Sequence, residues 1–434
     1  MKTKREILAL IDQEDIEFIR LQFTDVFGTL KNVAVTSSQL ERVLDNRYML
    51  AGDALFGNCN YEVEDVYLYP DLDSFRILPW RPQQGKVARL LCDVCKADGS
   101  SYDMSPRTIL KKVIRAAESK GYTFYVDPDC EFFLFHTDEN GMPTTVTHDK
   151  AGFMDVGPVD LGENARRDMV LTLEEMGFEI ESSHHETASA QHEIDFKEEE
   201  PLQIADSIIT FKSAVRSIAK RFGLHATFMP KPKNDVAGSG MHLSISVYKE
   251  GRCLFNSLPD GQKVREETKW FMAGIMEHAE AMCAITNPLV NSYKRLMPGY
   301  KAPKDICWSD KNVNAMLKIR HRVGEDTKVE VRFPDPSANP YLAIAVCLAA
   351  GMDGLEKHLQ PGDAVTDGNK MSPDAKQLPG TLREAIAFLK NSAFMEQVLG
   401  KDFIEFYSNA KMEEWNDYME QVSNWEIEKY LNII

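Results

Sequence analysis

Acidic side chains occur inside apolar, strand-like segments of this 434-residue chain. This feature constrains the fold most, because a carboxylate inside a protein must be paired or must bind a metal. Segment 129–135 reads DCEFFLF, so Asp129 and Glu131 are two residues apart. Residues i and i+2 of a strand point to the same face, and we expect both carboxylates to face one cleft. Later strand-like segments carry similar polar residues, namely Glu186, Glu193, Asp195, His242, Lys328, Glu330 and Arg332.

This set of side chains predicts a metal site that binds a nucleotide. A single charged residue on a strand usually faces solvent, but six carboxylates and one histidine on several strands are harder to explain in that way. Oxygen ligands with one imidazole suit Mg²⁺ or Mn²⁺. Two such ions close together neutralise a triphosphate during phosphoryl transfer. The residues alone therefore indicate a metal- and nucleotide-dependent enzyme.

Composition and charge narrow the function classes. The formal net charge of −17 opposes binding to nucleic acid phosphates. No apolar run approaches the roughly 18 residues that span a membrane, and the start MKTKRE is unlike a signal peptide. We therefore expect a cytoplasmic enzyme without nucleic acid or membrane partners. Cys92 and Cys95 lie in an aliphatic run, which favours buried thiols over a zinc site.

The length and the order of the predicted elements indicate two domains. Residues 1–104 are β-rich, whereas strands and long helices alternate over 105–434. Ser105 and Pro106 suit the start of a helix, which places the boundary just before them. We interpret 122–135 as one strand. The prediction is an α+β protein in which a small β-rich domain precedes a large catalytic domain.

Several segments together identify a family that this chain resembles. They are FIRLQFTDVFGTLKNV at 18–33, YLYPDLDSFRILPW at 67–80, DLGENARRDMVLTLEEMGFEIESSHHE at 160–186, QHEIDFK at 191–197, GLHATFMPKPK at 223–233, NPLVNSYKRLMPGY at 287–300 and DPSANPYL at 335–342. With these motifs in this order, the chain resembles bacterial type I glutamine synthetases over nearly its whole length. The resemblance implies a β-grasp N-terminal domain and a catalytic domain built on an antiparallel sheet with flanking helices.

The resemblance also implies a reaction and an assembly. ATP phosphorylates the γ-carboxylate of a glutamate-like substrate, and an amine, which is ammonia in the family, displaces the phosphate. Each site uses two or more Mg²⁺ or Mn²⁺ ions. Family members form homo-oligomers of two stacked hexameric rings, in which neighbouring subunits share active sites. Residues 368–378 lack the tyrosine on which some members are adenylylated, so the chain is closer to the unadenylylated subclass.

The resemblance further assigns roles to individual residues by motif match. One metal ion would be held by Glu131, Glu186 and Glu193. The second would be held by Asp129, His242 and Glu330, where Asp129 replaces the usual glutamate. The other assignments are catalysis and substrate binding by Arg295 and Arg332, a substrate contact by Gly238, and nucleotide contacts by Phe196, Ser246, Lys318 and Lys328.

The amine end of the predicted site departs from the family pattern. Ala51 replaces the aspartate that takes a proton from ammonium, and Asp53 is a possible substitute base two residues away. Lys301 replaces a glutamate of the flap that closes the site. Together these changes make this end about three charge units more positive, which opposes concentrating NH₄⁺. Further changes are Ala237 for an asparagine, Val313 for an arginine, and the added basic residues Arg320, His321 and Arg322.

Three functions stay open at this point. The first is a glutamine synthetase that works through Asp53 and the added basic residues. The second is a γ-glutamyl ligase for a different amine or amino-acid nucleophile, whose carboxylate or phosphate Lys301 would bind. The third is a catalytically weak metal- and nucleotide-binding homologue with a regulatory role. The fold does not separate them, because function is decided by the site.

Overall fold

The computed structural model describes residues 2–434 apart from 58, 60, 62, 82, 257–263, 322 and 367–375. The N-terminal region combines strands with two short helices. Its elements are α1 (Lys4–Gln13), β1 (Ile16–Thr24), β2 (Leu30–Thr36), α2 (Leu40–Leu44), β3 (Tyr48–Leu50), β4 (Val66–Pro70), β5 (Arg76–Ile77) and β6 (Lys86–Cys95).

The N-terminal strands form one mixed sheet. Its order is β2-β1-β6-β4-β3, and β5 pairs with β6. β1 and β6 are parallel, whereas the other recorded pairs are antiparallel. Ile19, Leu21 and Phe23 alternate along β1 and are buried, as a strand with one face on the core requires. Cys92 and Cys95 lie on β6 as buried free thiols.

The second region begins with a helix at Pro106, where Ser105 occupies the N-cap position without a side-chain cap hydrogen bond. Strands and helices then alternate, which confirms the predicted α+β class. The elements are α3 (Pro106–Glu118), β7 (Tyr122–Cys130), β8 (Phe132–Thr137), β9 (Pro143–Thr147), α4 (Glu163–Glu175), β10 (Ile180–His185), β11 (Gln191–Phe196), α5 (Pro201–Arg221), β12 (Leu224–Thr227), β13 (Met241–Lys249), β14 (Arg252–Cys253), α6 (Glu266–Thr286), α7 (Ser292–Arg295), β15 (Trp308–Ser309), β16 (Leu317–Arg320), β17 (Lys328–Val331), α8 (Pro340–Lys357), α9 (Leu382–Lys390), α10 (Ala393–Leu399), α11 (Lys401–Met419) and α12 (Asn424–Tyr430).

Two further sheets organise this second region within the described residues. One has the order β10-β11-β8-β12, with β9 on β8. The other has the order β14-β13-β17-β16-β15, with β7 on β13. Except for β15 and β16, which are parallel, the recorded pairs in these sheets are antiparallel. The second of these sheets places β7, β13, β17 and β16 side by side, so polar residues on one of its faces become neighbours.

The chain crosses from one of these sheets to the other at Glu131. The sequence predicted a single strand over 122–135, but β7 ends at Cys130 and β8 begins at Phe132, in different sheets. The Glu131 N–H leaves the strand ladder and donates to the Gly240 carbonyl at 3.1 Å. The prediction of one strand is therefore wrong. Asp129 belongs to one sheet, and Glu131 is the connection to the other.

Helices α6 and α8 pack against each other in the apolar core. Both are buried on most sides, which is typical of a helix inside a large domain. They approach so closely that a Cβ built on Gly274 would lie 2.0 Å from the Ala350 carbonyl oxygen. Only glycine fits there without separating the helices. Among the described residues, no helix has both the length and the hydropathy needed to cross a bilayer.

Arg107 connects the two regions. Its guanidinium donates to Asp93 and Asp71 at 2.6 Å each and to Asp206 at 2.9 Å. Asp71 and Asp93 precede the predicted boundary, whereas Asp206 lies on α5, so this buried arginine holds α5 against the N-terminal region. The domain boundary between residues 104 and 105 stays a prediction.

Candidate active site

Side chains from both sheets of the second region line a cavity of about 290 Å³. Most of the residues that the sequence assigned to metal, substrate or catalysis line this cavity. Its charged and polar lining includes Asp129, Glu131, His184, Glu186, Gln191, Glu193, His242, Arg295, Tyr300, Lys301, Lys318, Arg320, Glu330 and Arg332. The acidic residues fall into two groups, which differ in their surroundings.

The first group, here called the glutamate cluster, consists of Glu131, Glu186 and Glu193. One carboxylate oxygen of each lies within 4.8 Å of the others. The turn between β10 and β11 positions two of them, and the Glu186 N–H donates to the Gln191 carbonyl at 2.7 Å. Glu131 Oε2 accepts hydrogen bonds from Gln191 Nε2 at 3.0 Å and from the Gly240 N–H at 2.8 Å. The three carboxylates are therefore fixed by the fold.

Burial and like charges dominate the surroundings of the glutamate cluster, although Arg295 and Arg332 also act on Glu131. Burial, followed by the Glu186 charge, raises the pKa of Glu131 to about 8. Burial and neighbouring carboxylates also raise the pKa of Glu193 well above its ordinary value. In the described part of the chain, no lysine or arginine forms an ion pair with these glutamates within 4.0 Å. Three carboxylates that repel one another when ionised fit a hard divalent cation, which favours their ionised form.

The second group, here called the histidine cluster, consists of Asp129, His242 and Glu330. It forms because β7, β13 and β17 are adjacent and Asp129 is directly opposite His242. His242 Nδ1 lies 3.8 Å from Asp129 Oδ2 and 3.5 Å from Glu330 Oε1. Burial, followed by the Arg332 charge, lowers the pKa of His242 well below its ordinary value. The neutral imidazole is the form that binds a metal.

Two arginines neutralise the carboxylates of the histidine cluster. Arg320 Nη1 lies 3.3 Å from Asp129 Oδ2, and Arg332 Nη1 contacts Glu330 Oε1. Burial raises the pKa of Asp129 to about 7, although the Arg320 charge acts in the opposite direction. For Glu330, burial is outweighed by Arg332 together with other nearby cations, so the pKa of this carboxyl lies below its ordinary value. This cluster therefore carries side-chain cations that the glutamate cluster lacks.

Arg295 and Gly238 shape the floor of the cavity. Arg295 donates to the carbonyls of Phe333 at 2.9 Å and Arg332 at 3.0 Å, which fixes its guanidinium. A Cβ built on Gly238 would lie 2.3 Å from the Pro230 carbonyl oxygen, so only glycine fits there. The Nε of Arg332 is buried without a hydrogen-bond partner among the described atoms. An anionic ligand in the cavity is one way to satisfy it.

The end of the cavity where the resemblance places the amine, here called the amine end, is basic and aromatic. Lys301 adopts a positive φ of 60°, and its Nζ lies 5.5 Å from the centre of the Phe153 ring. No described carboxylate forms an ion pair with Lys301 within 4.0 Å. Ala237 and Val313 also line the cavity, so two positions expected to be polar are apolar. This end therefore presents the side-chain ammonium group of Lys301 and the ring of Phe153 rather than carboxylates.

The predicted nucleotide residues are dispersed. Lys318 lines the cavity, but Phe196, Ser246 and Lys328 are absent from its lining. Phe196 belongs to the hydrophobic core, where its ring packs against other phenylalanines, so the structure does not bring it to the site. The Ser246 hydroxyl is buried without a described partner. Lys328 Nζ is paired with Asp127 at 3.2 Å and with Glu198 at 2.9 Å.

Asp53 is also outside the cavity of its own chain. It is exposed on a short 3₁₀ turn, Gly52–Phe56, and Ala51 precedes that turn. The structure therefore does not bring Asp53 to the metal ligands of the same chain. Among the added basic residues, His321 is exposed and its Nδ1 lies 3.0 Å from the Thr327 hydroxyl. Arg322 and residues 368–375 lie outside the described residues.

Among the cavity residues that the sequence did not identify are Gln191 and Phe153. Gln191 supports Glu131 and precedes Glu193 by two residues on β11, so strand alternation would have identified it. Phe153 lies on the irregular segment between β9 and α4, where no periodic pattern indicates which side chains point inward. Its ring also lies 5.7 Å from the His184 ring. Phe153 therefore lines one side of the cavity, and its position could not be predicted from the sequence.

A separate buried group of Asp149, Asp160, His185 and His192 is close enough to suggest another metal site. Arg166 Nη1 lies 2.9 Å from His192 Nδ1 and 2.8 Å from Asp160 Oδ2. A guanidinium can only donate, so Nδ1 accepts and the His192 proton sits on Nε2. That nitrogen has no lone pair for a metal. We interpret the group as an internally neutralised network that supports the β10–β11 turn.

The cavity and the two clusters fit the class of metal-dependent enzymes, and comparisons with known proteins identify the family. The description "Glutamine synthetase, catalytic domain" matches residues 103–430, and "Glutamine synthetase, beta-Grasp domain" matches residues 15–97. The chain is 50% identical to a glutamine synthetase of Clostridium saccharobutylicum over 437 residues and 46% identical to one of Thermus thermophilus over 440 residues, with 99% of each chain covered.

Solved structures support the same assignment. The fold is similar to two chains described as "GmaS/ADP complex-Conformation 1" and "Apo GmaS without ligand", with TM-scores of 0.88 and 0.87. Each is 29% identical, and the match covers 98% of this chain and 99% of the other. This chain belongs to the glutamine synthetase family. It is an ATP-dependent ligase with the β-grasp and catalytic domains that the sequence predicted.

Proposed function

We propose that this enzyme phosphorylates the γ-carboxylate of glutamate, or of a similar acid, and then transfers the γ-glutamyl group to an amine. The observation that supports this most is the presence of two complete ligand sets beside one cavity. A γ-carboxylate oxygen attacks the γ-phosphorus of ATP, and ADP leaves. The amine then attacks the acyl carbon, phosphate leaves, and a proton is lost from nitrogen.

In this proposal, the glutamate cluster and the histidine cluster hold Mg²⁺ or Mn²⁺, which neutralises the triphosphate when bound. Arg295 and Arg332 bind the substrate carboxylate and the transferring phosphoryl group, as their burial beside the clusters allows. Gly238 permits close approach of the substrate to the backbone. Lys318 contacts phosphate oxygens. The nucleotide roles of Phe196, Ser246 and Lys328 stay predictions, because none of them lines the cavity.

Phosphate release tests this proposal directly. Purified full-length protein is supplied with ATP, Mg²⁺, glutamate and ammonium, and both phosphate and the γ-glutamyl product are measured. We expect release that requires glutamate and a divalent ion. ATP binding without phosphate release under any amine would instead favour the regulatory homologue.

A second candidate function, a γ-glutamyl ligase for an anionic amine such as an amino acid, is favoured by the amine end of the cavity. Lys301 lines the cavity without a described carboxylate partner. An ammonium group there repels NH₄⁺ but attracts a carboxylate or a phosphate on the incoming amine. The discriminating measurement repeats the assay with ammonium, neutral alkylamines and amino acids. Turnover only with amines that carry an anionic group supports this candidate, and equal turnover with ammonium removes it.

We also propose the assembly and subclass that the resemblance implied. The chain would form two stacked hexameric rings in the cytoplasm, with the exposed Asp53 segment of one subunit facing the cavity of its neighbour. Support comes from the exposure of Asp53 outside its own cavity. Light scattering should show about twelve chains of 49.2 kDa in one particle. The absence of tyrosine from residues 368–378 supports the unadenylylated subclass.

A further inference from the structure

We propose that a second cavity, separate from the catalytic one, binds small aromatic carboxylates and thereby orders the chain segment that leads to Lys301. This cavity, here called the aromatic cavity, has a volume of about 580 Å³ and lies among α7, α9, α11 and α12. None of the residues assigned to metal, substrate or nucleotide lines it. Ligand binding there therefore does not depend on the proposed function.

Aromatic rings from separate parts of the chain form most of the apolar lining of the aromatic cavity. They belong to Tyr293, Tyr300, Trp415, Tyr418 and Trp425. The Tyr293 side chain is buried, and its hydroxyl has no hydrogen-bond partner among the described atoms. A flat apolar ligand can stack against such rings, and an oxygen of the ligand would satisfy this hydroxyl.

Two lysines add positive charge to this lining. Lys294 Nζ lies 5.3 Å from the centre of the Tyr418 ring, and Lys231 Nζ lies 3.9 Å from the centre of the Tyr300 ring. Neither lysine forms an ion pair within 4.0 Å in the described part of the chain. Asp235 also lines the cavity, but its charge acts on Lys231. Lys294 is therefore the cation available to a ligand, and the ligand class that fits is an aromatic ring with one carboxylate.

Tyr300 connects the two cavities, because its side chain lines both of them. Lys231 lies over the Tyr300 ring and donates to the Val236 carbonyl, and its backbone N–H donates to Asn291 Oδ1 at 2.7 Å. One side of the ring is thus supported by a fixed residue. A ligand that packs on Tyr300 restricts the ring further. It therefore restricts the backbone from which Lys301, the next residue, reaches the catalytic cavity.

Binding of a simple probe tests the ligand class on the full-length protein. The probe is 3-phenylpropionate, followed by saturation-transfer-difference NMR in the absence of metal and nucleotide. We expect a dissociation constant of about 1 mM or lower, which is ordinary for a ligand of this size. The neutral analogue 3-phenylpropanol should bind at least about threefold more weakly, because it cannot pair with Lys294.

Three variants locate the probe. Lys294→Met removes the cation from an exposed position, and Trp425→Ala removes one ring from α12, a helix without buried residues. Each should weaken the probe by about threefold or more. Lys301→Met is the matched control, because it removes a lysine from the catalytic cavity instead. It should change the affinity by less than about twofold.

Hydrogen–deuterium exchange tests the connection to Lys301. The probe should slow amide exchange in a peptide that contains residues 299–301 by about twofold or more in wild type, and it should have no such effect in Lys294→Met. Binding without this protection would overturn the effect on the Lys301 segment.

Other results overturn the site or its ligand class. Weakening by Lys301→Met but not by Lys294→Met would place the probe in the catalytic cavity. Equal affinity for the acid and the alcohol would mean that the aromatic cavity is an apolar surface without preference for carboxylates. No binding at about 10 mM probe would remove the site. All of these results leave the proposed function intact, since phosphate release is measured separately.

Discussion

The glutamate cluster and the histidine cluster line the same cavity, and both contain buried carboxylates. They differ in how the negative charge of these carboxylates is balanced. The histidine cluster balances them internally with Arg320 and Arg332, whereas the described surroundings of the glutamate cluster provide no such ion pair. The two clusters therefore differ in charge balance, although both consist mainly of carboxylates. We expect the glutamate cluster to depend more on an added cation, because no lysine or arginine of the described residues forms an ion pair with it.

The largest expected effect comes from removing one ligand of the glutamate cluster. Glu131→Gln keeps the size and the hydrogen-bonding capacity but removes a charge that no other side chain replaces. We expect ATP-dependent phosphate release to fall by about 100-fold or more, with loss of the Mn²⁺ ion bound by the glutamate cluster. Glu330→Gln is the matched comparison, and it should leave that ion in place. If that ion survives Glu131→Gln and is lost in Glu330→Gln, the assignment of the two clusters is reversed.

The second-largest effect is expected from replacing Gln191, which holds a ligand of the glutamate cluster in place. Gln191 Nε2 donates to Glu131 at 3.0 Å, and Gln191→Leu removes this bond while preserving approximate volume. The affinity of the glutamate cluster for Mn²⁺ should fall by about tenfold, as is typical when a residue that orients a metal ligand is replaced. The histidine cluster should not respond, since Gln191 contacts none of its members. Equal weakening of both ions in a titration would mean that the two clusters are not independent.

A smaller effect is expected at the amine end, where Lys301 contacts neither cluster. The pair Lys301→Glu and Ala51→Asp restores two carboxylates at positions where the family has them. We predict that ammonium-dependent turnover rises by about tenfold, because the local potential then attracts NH₄⁺. Mn²⁺ affinity should stay within about twofold of wild type. No gain in ammonium-dependent turnover would refute the charge argument for this end of the cavity.

The smallest effect is on stability in the absence of metal. The pKa of Glu131 is raised to about 8 by burial and by Glu186, so the folded protein holds a proton that the unfolded chain has lost. The resulting stability is present at low pH and is lost as the pH rises through about 8. The melting temperature of metal-free protein should therefore fall by a few degrees between pH 6 and pH 9, and Mn²⁺ should reverse the fall. Glu131→Gln should flatten this dependence, and an unchanged slope would show that Glu131 is not its cause.

The sequence predicted the members of the clusters because acids inside apolar segments are rare and must serve a purpose. Strand alternation also predicts where the Phe196 side chain points. Gln191, Glu193 and Asp195 alternate on one face of β11, so Phe196 must point to the opposite face and into the core. Its nucleotide role stays a prediction, because its side chain does not line the cavity.

Other features could not be predicted from the sequence, because they depend on contacts between residues that are far apart along the chain. The change of sheet at Glu131 is set by a hydrogen bond to Gly240, more than a hundred positions along the chain. The contact between Arg320 and Asp129 requires the strand order β7-β13-β17-β16, which no local pattern specifies. Asp129 and Arg320 both differ from the family pattern in the sequence, but only the fold shows that their side chains are neighbours.

The central claim is that both clusters hold divalent ions beside a bound nucleotide, and anomalous scattering from crystals grown with Mn²⁺ and a non-hydrolysable ATP analogue tests it most directly. We predict one manganese peak among the oxygens of Glu131, Glu186 and Glu193 and a second among Asp129, His242 and Glu330. A nucleotide bound in the cavity with no manganese peak at the glutamate cluster would contradict the account.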